Sequence, residues 1–200
     1  MKEIADGSVD AIITDPPYGT TSCKWDSVID FELMWEQLNR IIKPNGAIVL
    51  FGTEPFSSYL RISNIKNYKY DWIRDKIHPF NLIQNQPSRC YEIISVFNNH
   101  KFNEQKTKRT LEDFKRHYRK NDCVHNFKSD HTPHIKKGRV FKRQSYKEQL
   151  YKKSINILRF KKPDKRDGKG HPTQKPVSLM GYLIKTYTNK NEIVLDFTMG

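Results

Sequence analysis

Four consecutive residues, Asp15-Pro16-Pro17-Tyr18, combine a carboxylate, two prolines and an aromatic ring. Two prolines in succession fix the backbone and remove two N–H donors, so their carbonyl oxygens can only accept hydrogen bonds. With the Asp15 carboxylate they form a cradle of acceptors, which suits an exocyclic amino group that carries two N–H donors. Tyr18 adds a ring face on which a base can stack. A rigid turn that ends a strand is the structural alternative for the same residues.

The neighbouring elements predict where this tetrapeptide lies. The apolar run Val9–Thr14 has the length of a buried parallel strand and ends directly before Asp15. A helix with Asp30 as its N-cap follows, and a second buried strand covers Ala47–Phe51. This βαβ unit places Asp15 after the carboxyl end of a strand, where open α/β sheets bind ligands. The remaining predicted elements are strands over Tyr68–Ile73, Tyr91–Phe97 and Glu192–Phe197 and a helix over Val177–Tyr187.

The positive charge is concentrated in one segment. The 200 residues have a formal net charge of +14, but residues 101–170 hold 23 Lys+Arg against 8 Asp+Glu, and the rest holds 13 against 14. Aromatic residues are interspersed among the basic residues of this segment, a mixture that can neutralise phosphates and stack on bases. Nucleic acid is the expected partner, and a solvated insertion without a ligand is the alternative. Arg89, Arg139, Lys142 and Arg143 are the candidates for DNA contacts.

Composition disfavours membrane and secreted proteins. The sequence has no run of about 18 apolar residues and no basic-then-apolar start typical of a secretory signal. Its three cysteines are an odd number at wide spacings and fit no disulfide framework. We expect a soluble, cytoplasmic protein, and the abundance of Lys, Asn and Ile indicates a bacterial or phage origin.

Three motifs occur in a characteristic order: Asp15–Tyr18, then His171-Pro172-Thr173-Gln174-Lys175-Pro176, then Val194-Leu195-Asp196-Phe197-Thr198-Met199-Gly200. This order resembles the permuted, or beta, class of DNA amino-methyltransferases, which includes restriction-modification enzymes. In that class the catalytic motif comes first, a target-recognition region second and the S-adenosylmethionine motif last. The resemblance implies a Rossmann-like α/β fold, S-adenosylmethionine as cofactor and double-stranded DNA as partner.

The resemblance also implies roles for individual residues. Asp15 and the carbonyl of Pro16 would hold the target amino group beside Pro17, and Tyr18 would stack on the flipped base. The amino nitrogen would then attack the methyl group directly, with no covalent enzyme intermediate and no metal. The residues implied to bind the cofactor are Asp15, Thr173, Gln174, Lys175, Asp196, Phe197 and Gly200. Thr198 stands where the family usually has an aromatic residue.

The motif order predicts three parts: a catalytic part over 1–98, a basic target-recognition region over 99–168 and the start of the cofactor-binding part over 169–200. Because the family's glycine loop continues beyond Gly200, the resemblance implies a truncated chain with an incomplete sheet. We expect such a chain to bind S-adenosylmethionine weakly and to be inactive unless a complementing chain, or a dimer, supplies the rest of the cofactor site.

Three alternatives stay open from the sequence. Within the resembled family, Asp at the first position of the tetrapeptide leans toward N6 of adenine as the methylated atom, so the resemblance implies adenine and leaves N4 of cytosine as the alternative. An inactive DNA-binding fragment is a second alternative. A zinc site at Cys123, His125, His131 and His134 is the third, and it is disfavoured because the spacings match no standard finger.

Overall fold

The computed structural model describes residues 1–21, 23, 26–76, 85, 87–110, 112–113, 150–160 and 174–198. The chain divides into two compact units, one made of Met1–Asn103 with Ile155–Gly200 and the other of Glu104–Ser154. The helices are α1 (Phe31–Ile41), α2 (Phe56–Ser63) and α3 (Val177–Tyr187). The strands are β1 (Val9–Thr14), β2 (Ile42–Gly52), β3 (Tyr68–Asp75), β4 (Tyr91–Phe97), β5 (Thr107–Lys108), β6 (Tyr151–Lys152), β7 (Ile157–Arg159) and β8 (Val194–Leu195).

The first unit contains a six-stranded mixed sheet in the order β7-β3-β4-β2-β1-β8. Strand β1 runs parallel to both β2 and β8, and β3 runs parallel to β7. Strand β4 is antiparallel to its neighbours β2 and β3. The predicted α/β class is confirmed. In the second unit, β5 and β6 form an antiparallel pair.

Alternating residues of the central strands pack against helices on the two faces of this sheet. Ile12 and Leu50 belong to a buried cluster with Leu38 of α1 and Leu60 of α2. Ile13, Val49 and Phe51 belong to a second cluster with Leu179 and Leu183 of α3. Since side chains alternate along a strand, the two clusters lie on opposite faces, and the unit has a helix–sheet–helix arrangement.

Several predicted elements have the expected bounds. Strand β4 and helix α3 span the predicted residues, and Asp30 caps α1 by accepting a hydrogen bond from the Leu33 amide at 3.0 Å. The predicted strand over Glu192–Phe197 was wrong in length, because only Val194 and Leu195 pair with β1. Helix α2 was not predicted. The partition into 1–98, 99–168 and 169–200 stays a prediction, since much of the middle part lies outside the described residues.

Across the described ranges, the helices are too short or too polar for any of them to span a lipid bilayer.

Candidate functional site

The predicted tetrapeptide lies at the edge of the sheet where several strands end. Strands β1, β2, β3 and β8 finish there, and the antiparallel strand β4 begins there, because Gly52 pairs with Ile93 and Arg74 with Glu92. The loops that follow the strand ends lie outside the strand pairing of the sheet, and such loops commonly bind ligands in α/β folds. The candidate site is built from side chains of these strand ends and from Lys175, which precedes α3.

Asp15 is held from two sides. One carboxylate oxygen accepts a hydrogen bond from the Tyr18 hydroxyl, and the other lies 2.6 Å from the Lys175 ammonium. The Lys175 side chain is only 11% exposed, whereas that of Asp15 is 30% exposed. The ion pair is therefore sheltered on the lysine side, and the carboxylate keeps an open side toward solvent. The contacts fix the orientation of the Asp15 oxygens, as a preorganised acceptor requires.

A buried group of charges adjoins this ion pair. The Glu92 carboxylate, 8% exposed, lies 2.6 Å from Arg74, 3.0 Å from Lys76 and 3.5 Å from Lys175. Burial alone would raise the pKa of Glu92, but Lys175, Lys76 and Arg74 together lower that pKa to about 2. Successive ion pairs thus connect Arg74 on β3 and Glu92 on β4, through Lys175, with the Asp15 carboxylate. Sequence analysis did not identify Glu92, which is the only charged residue of a mostly apolar strand, and that unusual position was the available signal.

The ring of Tyr18 is enclosed by aromatic and cationic neighbours. Its centroid lies 5.2 Å from that of Phe56, and the Lys175 ammonium lies 5.9 Å above the ring. The same ammonium lies 5.2 Å from the centre of the Phe51 ring. Burial, and then the negative charges of Asp15 and Glu92, raise the pKa of Tyr18 well above its ordinary value. The phenol therefore stays a neutral donor to Asp15.

A second network joins the ends of β1 and β8. The Thr14 hydroxyl donates to Asp196 at 2.6 Å, and the Thr198 hydroxyl lies 2.6 Å from that of Thr14. The Thr198 hydroxyl is also 3.1 Å from the Asp15 carbonyl oxygen and 3.1 Å from the Asp196 carboxylate. Because a hydroxyl has one proton, it donates to one of these acceptors at a time. Thr198, which stands where the family usually has an aromatic residue, thus links two predicted site residues, Asp15 and Asp196.

The loop after Tyr18 contains a feature that sequence analysis missed. The half-buried Tyr18 and the exposed residues 19–21 donate four backbone N–H groups to the carboxylate of Asp26, which is 8% exposed. No periodic or motif signal marks Asp26, because its partners are backbone amides of a loop.

The other predicted site residues are placed as follows. Phe197 packs against the core cluster beneath α1, and Gln174 is exposed. Arg89 donates to Thr53 Oγ1 at 2.5 Å and to the Glu54 carbonyl at 2.9 Å, at the end of β2. Thr173, Gly200, Arg139, Lys142 and Arg143 lie outside the described residues, as do Cys123, His125, His131 and His134. The part of the chain that the structure describes contains no cluster of three potential metal ligands.

A family model described as DNA methylase, of the N6/N4 type, matches residues 9–200. The Type II methyltransferase M.HpaI of Haemophilus parainfluenzae is 25% identical over 220 aligned positions, which cover 100% of this chain and 60% of that relative. The chain therefore spans less than two thirds of the length of this relative.

Solved structures are similar over nearly the whole chain. The crystal structure of the M1.HpyAVI-SAM complex has a TM-score of 0.55 and 25% identity, covering 96% of this chain and 73% of that protein. The PvuII DNA methyltransferase, described as cytosine-N4-specific, has a TM-score of 0.58 and 13% identity, covering 98% of this chain and 69% of that one. The second similarity concerns the fold alone.

Proposed function

Because this chain belongs to the N6/N4 DNA methylase family, we propose that it transfers a methyl group from S-adenosylmethionine to an exocyclic amino group of a base in double-stranded DNA. The observation that carries the proposal is the Asp15 carboxylate. It follows the end of β1 and is oriented by Lys175 and Tyr18, and the backbone carbonyl oxygen of the same residue lies 3.1 Å from the Thr198 hydroxyl after β8.

Asp15 acts on the target base in this proposal. A carboxylate oxygen of Asp15 and the carbonyl of Pro16 accept hydrogen bonds from the two N–H groups of the amino group. The nitrogen lone pair then points away from these two acceptors. The same acceptors stabilise the positive charge that develops on nitrogen during the reaction. Tyr18, with Pro17 before it, borders the position of a base that has left the duplex. The cytoplasm, where DNA is available, is the proposed location.

The chemistry of the β8 end fits the proposed cofactor. Asp196 is a half-buried carboxylate and Thr198 a hydroxyl within hydrogen-bonding distance of it, and both groups can bind ammonium or hydroxyl groups. We assign Asp196 and Phe197 to the cofactor, together with Thr173, Gln174 and Gly200. S-adenosylmethionine, when bound, supplies an electrophilic methyl group. In this assignment, Lys175 orients the Asp15 carboxylate through their ion pair.

We propose adenine N6 as the methylated atom and keep cytosine N4 as the second candidate. The support is the aspartate at the first position of the tetrapeptide, which in the family leans toward adenine. The test is to digest DNA after methylation by the protein and to identify the modified nucleoside by mass spectrometry. N6-methyldeoxyadenosine is expected, and N4-methyldeoxycytidine would replace the proposal by its alternative.

The test of the reaction itself is Asp15→Ala. We expect methyl transfer to fall by about a hundredfold or more, because the oriented acceptor is lost, while DNA binding is retained. Asp6→Ala is the matched control, since Asp6 is an exposed aspartate that pairs with Arg40. Transfer by the Asp15 variant at the wild-type rate would contradict the proposal. DNA binding by the wild-type chain without any methyl transfer, even when a complementing chain is supplied, would favour the non-catalytic alternative.

A further inference from the structure

Asp26 organises the loop that directly follows the tetrapeptide. One of its carboxylate oxygens accepts the amides of Tyr18 at 2.8 Å and Gly19 at 2.9 Å. The other accepts the amides of Thr20 at 2.9 Å and Thr21 at 2.7 Å. Four consecutive N–H groups therefore converge on one carboxylate, in the manner of an anion-binding nest.

The backbone of this loop depends on Gly19. Its φ is +68°, in the left-handed region that favours glycine, and this conformation lets successive amides point to the same side. A Cβ at this position would also lie 2.8 Å from a methyl group of Val28, which follows Asp26 on the returning chain. Loop shape, Gly19 and Asp26 are thus parts of one arrangement.

A negative charge is required at the centre of this arrangement. Burial raises the pKa of Asp26, but hydrogen bonds from the Thr21 hydroxyl and from the amides outweigh it, and the pKa is lowered. A side-chain amide of the same size would present an NH₂ group to two of the four N–H donors, because it keeps only one acceptor oxygen. Charge-assisted hydrogen bonds of this kind are about twice as strong as neutral ones.

We propose that Asp26 is a positioning residue for the transfer reaction, acting through the backbone of Tyr18. Tyr18 donates its amide to Asp26 and its hydroxyl to Asp15, so a single residue connects the nest with the acceptor carboxylate. A fixed Tyr18 backbone fixes the position of its ring and the point at which its hydroxyl contacts Asp15. This inference rests on the proposed function for its kinetic consequence, and on the structure alone for the loop.

The kinetic test compares Asp26→Asn with Asp30→Asn. Both replace an aspartate by asparagine, and Asp30 accepts a single amide bond as the N-cap of α1, a role that asparagine also performs. We expect Asp26→Asn to lower kcat for methyl transfer about tenfold or more with KM for DNA nearly unchanged, because misplacement affects the reacting geometry more than DNA binding. Asp30→Asn should leave both constants unchanged.

A measurement that does not depend on catalysis accompanies the kinetics. Amide hydrogen exchange of residues 18–21 should become at least about tenfold faster in Asp26→Asn, while amides of β1 and β2 keep their protection. Gly19→Ala disturbs the same loop from its backbone and should reproduce both effects.

The outcomes separate the two proposals. Wild-type kinetics in Asp26→Asn and Gly19→Ala would overturn the positioning role, as would unchanged exchange at residues 18–21. A wild-type chain without methyl transfer, even when a complementing chain is supplied, would contradict the proposed function, and the exchange experiment would then decide by itself whether Asp26 holds the loop. Faster exchange throughout the sheet would also overturn the inference, since Asp26 would then stabilise the whole fold.

Discussion

The Asp15 carboxylate owes its geometry to residues from distant parts of the sequence. Lys175 reaches it from the segment before α3, and Glu92 on β4 lies 3.5 Å from the same lysine. Arg74 and Lys76 complete the group around Glu92. An acceptor that is held by buried charges reorganises little when a ligand arrives, which is the property that favours transition-state stabilisation.

Glu92 should be a determinant of stability with a specific pH dependence. Its pKa is lowered from the ordinary value of 4.5 to about 2 in the folded protein. A lowered carboxyl pKa stabilises the folded state above pH 4.5, and this contribution is lost as the pH falls toward 2. Glu92→Gln should cost about 3 kcal/mol of unfolding free energy at neutral pH, because it leaves a buried group of cations without this counter-charge. Urea unfolding at neutral pH measures it.

The pH series supplies the sign of the effect. Between about pH 5 and pH 3, wild type should lose more unfolding free energy than Glu92→Gln, which lacks the titrating group. Glu36→Gln is the control, since Glu36 is an exposed residue of α1 and its replacement should change stability by no more than about 0.5 kcal/mol. Equal acid dependence of wild type and Glu92→Gln would show that Glu92 is not coupled to its cationic neighbours.

At the residue scale, sequence analysis identified the groups that belong to contiguous motifs. Asp15, Tyr18 and Lys175 were predicted, and the structure brings their side chains together. It missed Glu92 and Asp26. Both act through partners that are set by tertiary structure: Glu92 through cations on β3 and before α3, Asp26 through amides of a loop. No spacing rule encodes such contacts, because the partners lie at no fixed sequence separation.

At the element scale, strong local signals gave correct bounds. Strand β4 is rich in β-branched and aromatic residues, and α3 starts after a proline, and both were predicted to the residue. Helix α2 was missed because it has eight residues and no side-chain cap. Strand β8 is short because β1 pairs with it over two residues, while the Asp196 side chain turns to bind Thr14 and Thr198. The length of β8 is therefore set by its pairing with β1, which the sequence of β8 alone does not encode.

Two glycines should respond in opposite ways to the same substitution. Gly181 lies in the middle of α3, and a Cβ added there would meet no atom within 4 Å. Gly181→Ala should therefore stabilise the protein by about 0.5–1 kcal/mol, because it removes the entropic cost of a helical glycine. Gly46 lies in β2, and a Cβ there would be 2.8 Å from the Asp10 carbonyl oxygen and 2.6 Å from an Ile42 side-chain carbon.

Gly46→Ala should destabilise the protein by about 1–3 kcal/mol, because a backbone oxygen cannot move aside as a flexible side chain can. Thermal unfolding of the two variants is the measurement, with an expected shift of about 2–4 °C for each kcal/mol in a chain of this size. A decrease in Tm for Gly181→Ala, or no change for Gly46→Ala, would contradict the packing described for these elements.

At the scale of the whole molecule, the charge is divided between parts of the chain. Residues 101–170 have an excess of 15 positive charges, and the remaining residues are close to neutral. The acidic groups of the candidate site, Asp15 and Glu92, belong to the nearly neutral part. The residues proposed to act in the reaction therefore lie in a part of the chain with little net charge. The basic segment 101–170 is available for binding the DNA backbone.

This division predicts how DNA affinity depends on salt. The logarithm of the association constant should fall linearly with the logarithm of the salt concentration, with a slope of about 0.9 for each phosphate neutralised. Replacing Arg139, Lys142 and Arg143 by alanine should weaken binding and reduce that slope by about two to three, if each side chain contacts one phosphate. Fluorescence anisotropy with a labelled duplex at several salt concentrations measures both quantities.

The control for this prediction removes the same number of charges elsewhere. Lys2, Lys66 and Lys190 are exposed and lie in the nearly neutral part of the chain. If DNA were attracted by total charge alone, their replacement by alanine would reduce the slope as much as the first triple variant does. We expect the slope to stay close to the wild-type value, because counterions are released from phosphates in direct contact with cationic side chains. Equal slopes for the two triple variants would contradict a localised DNA contact.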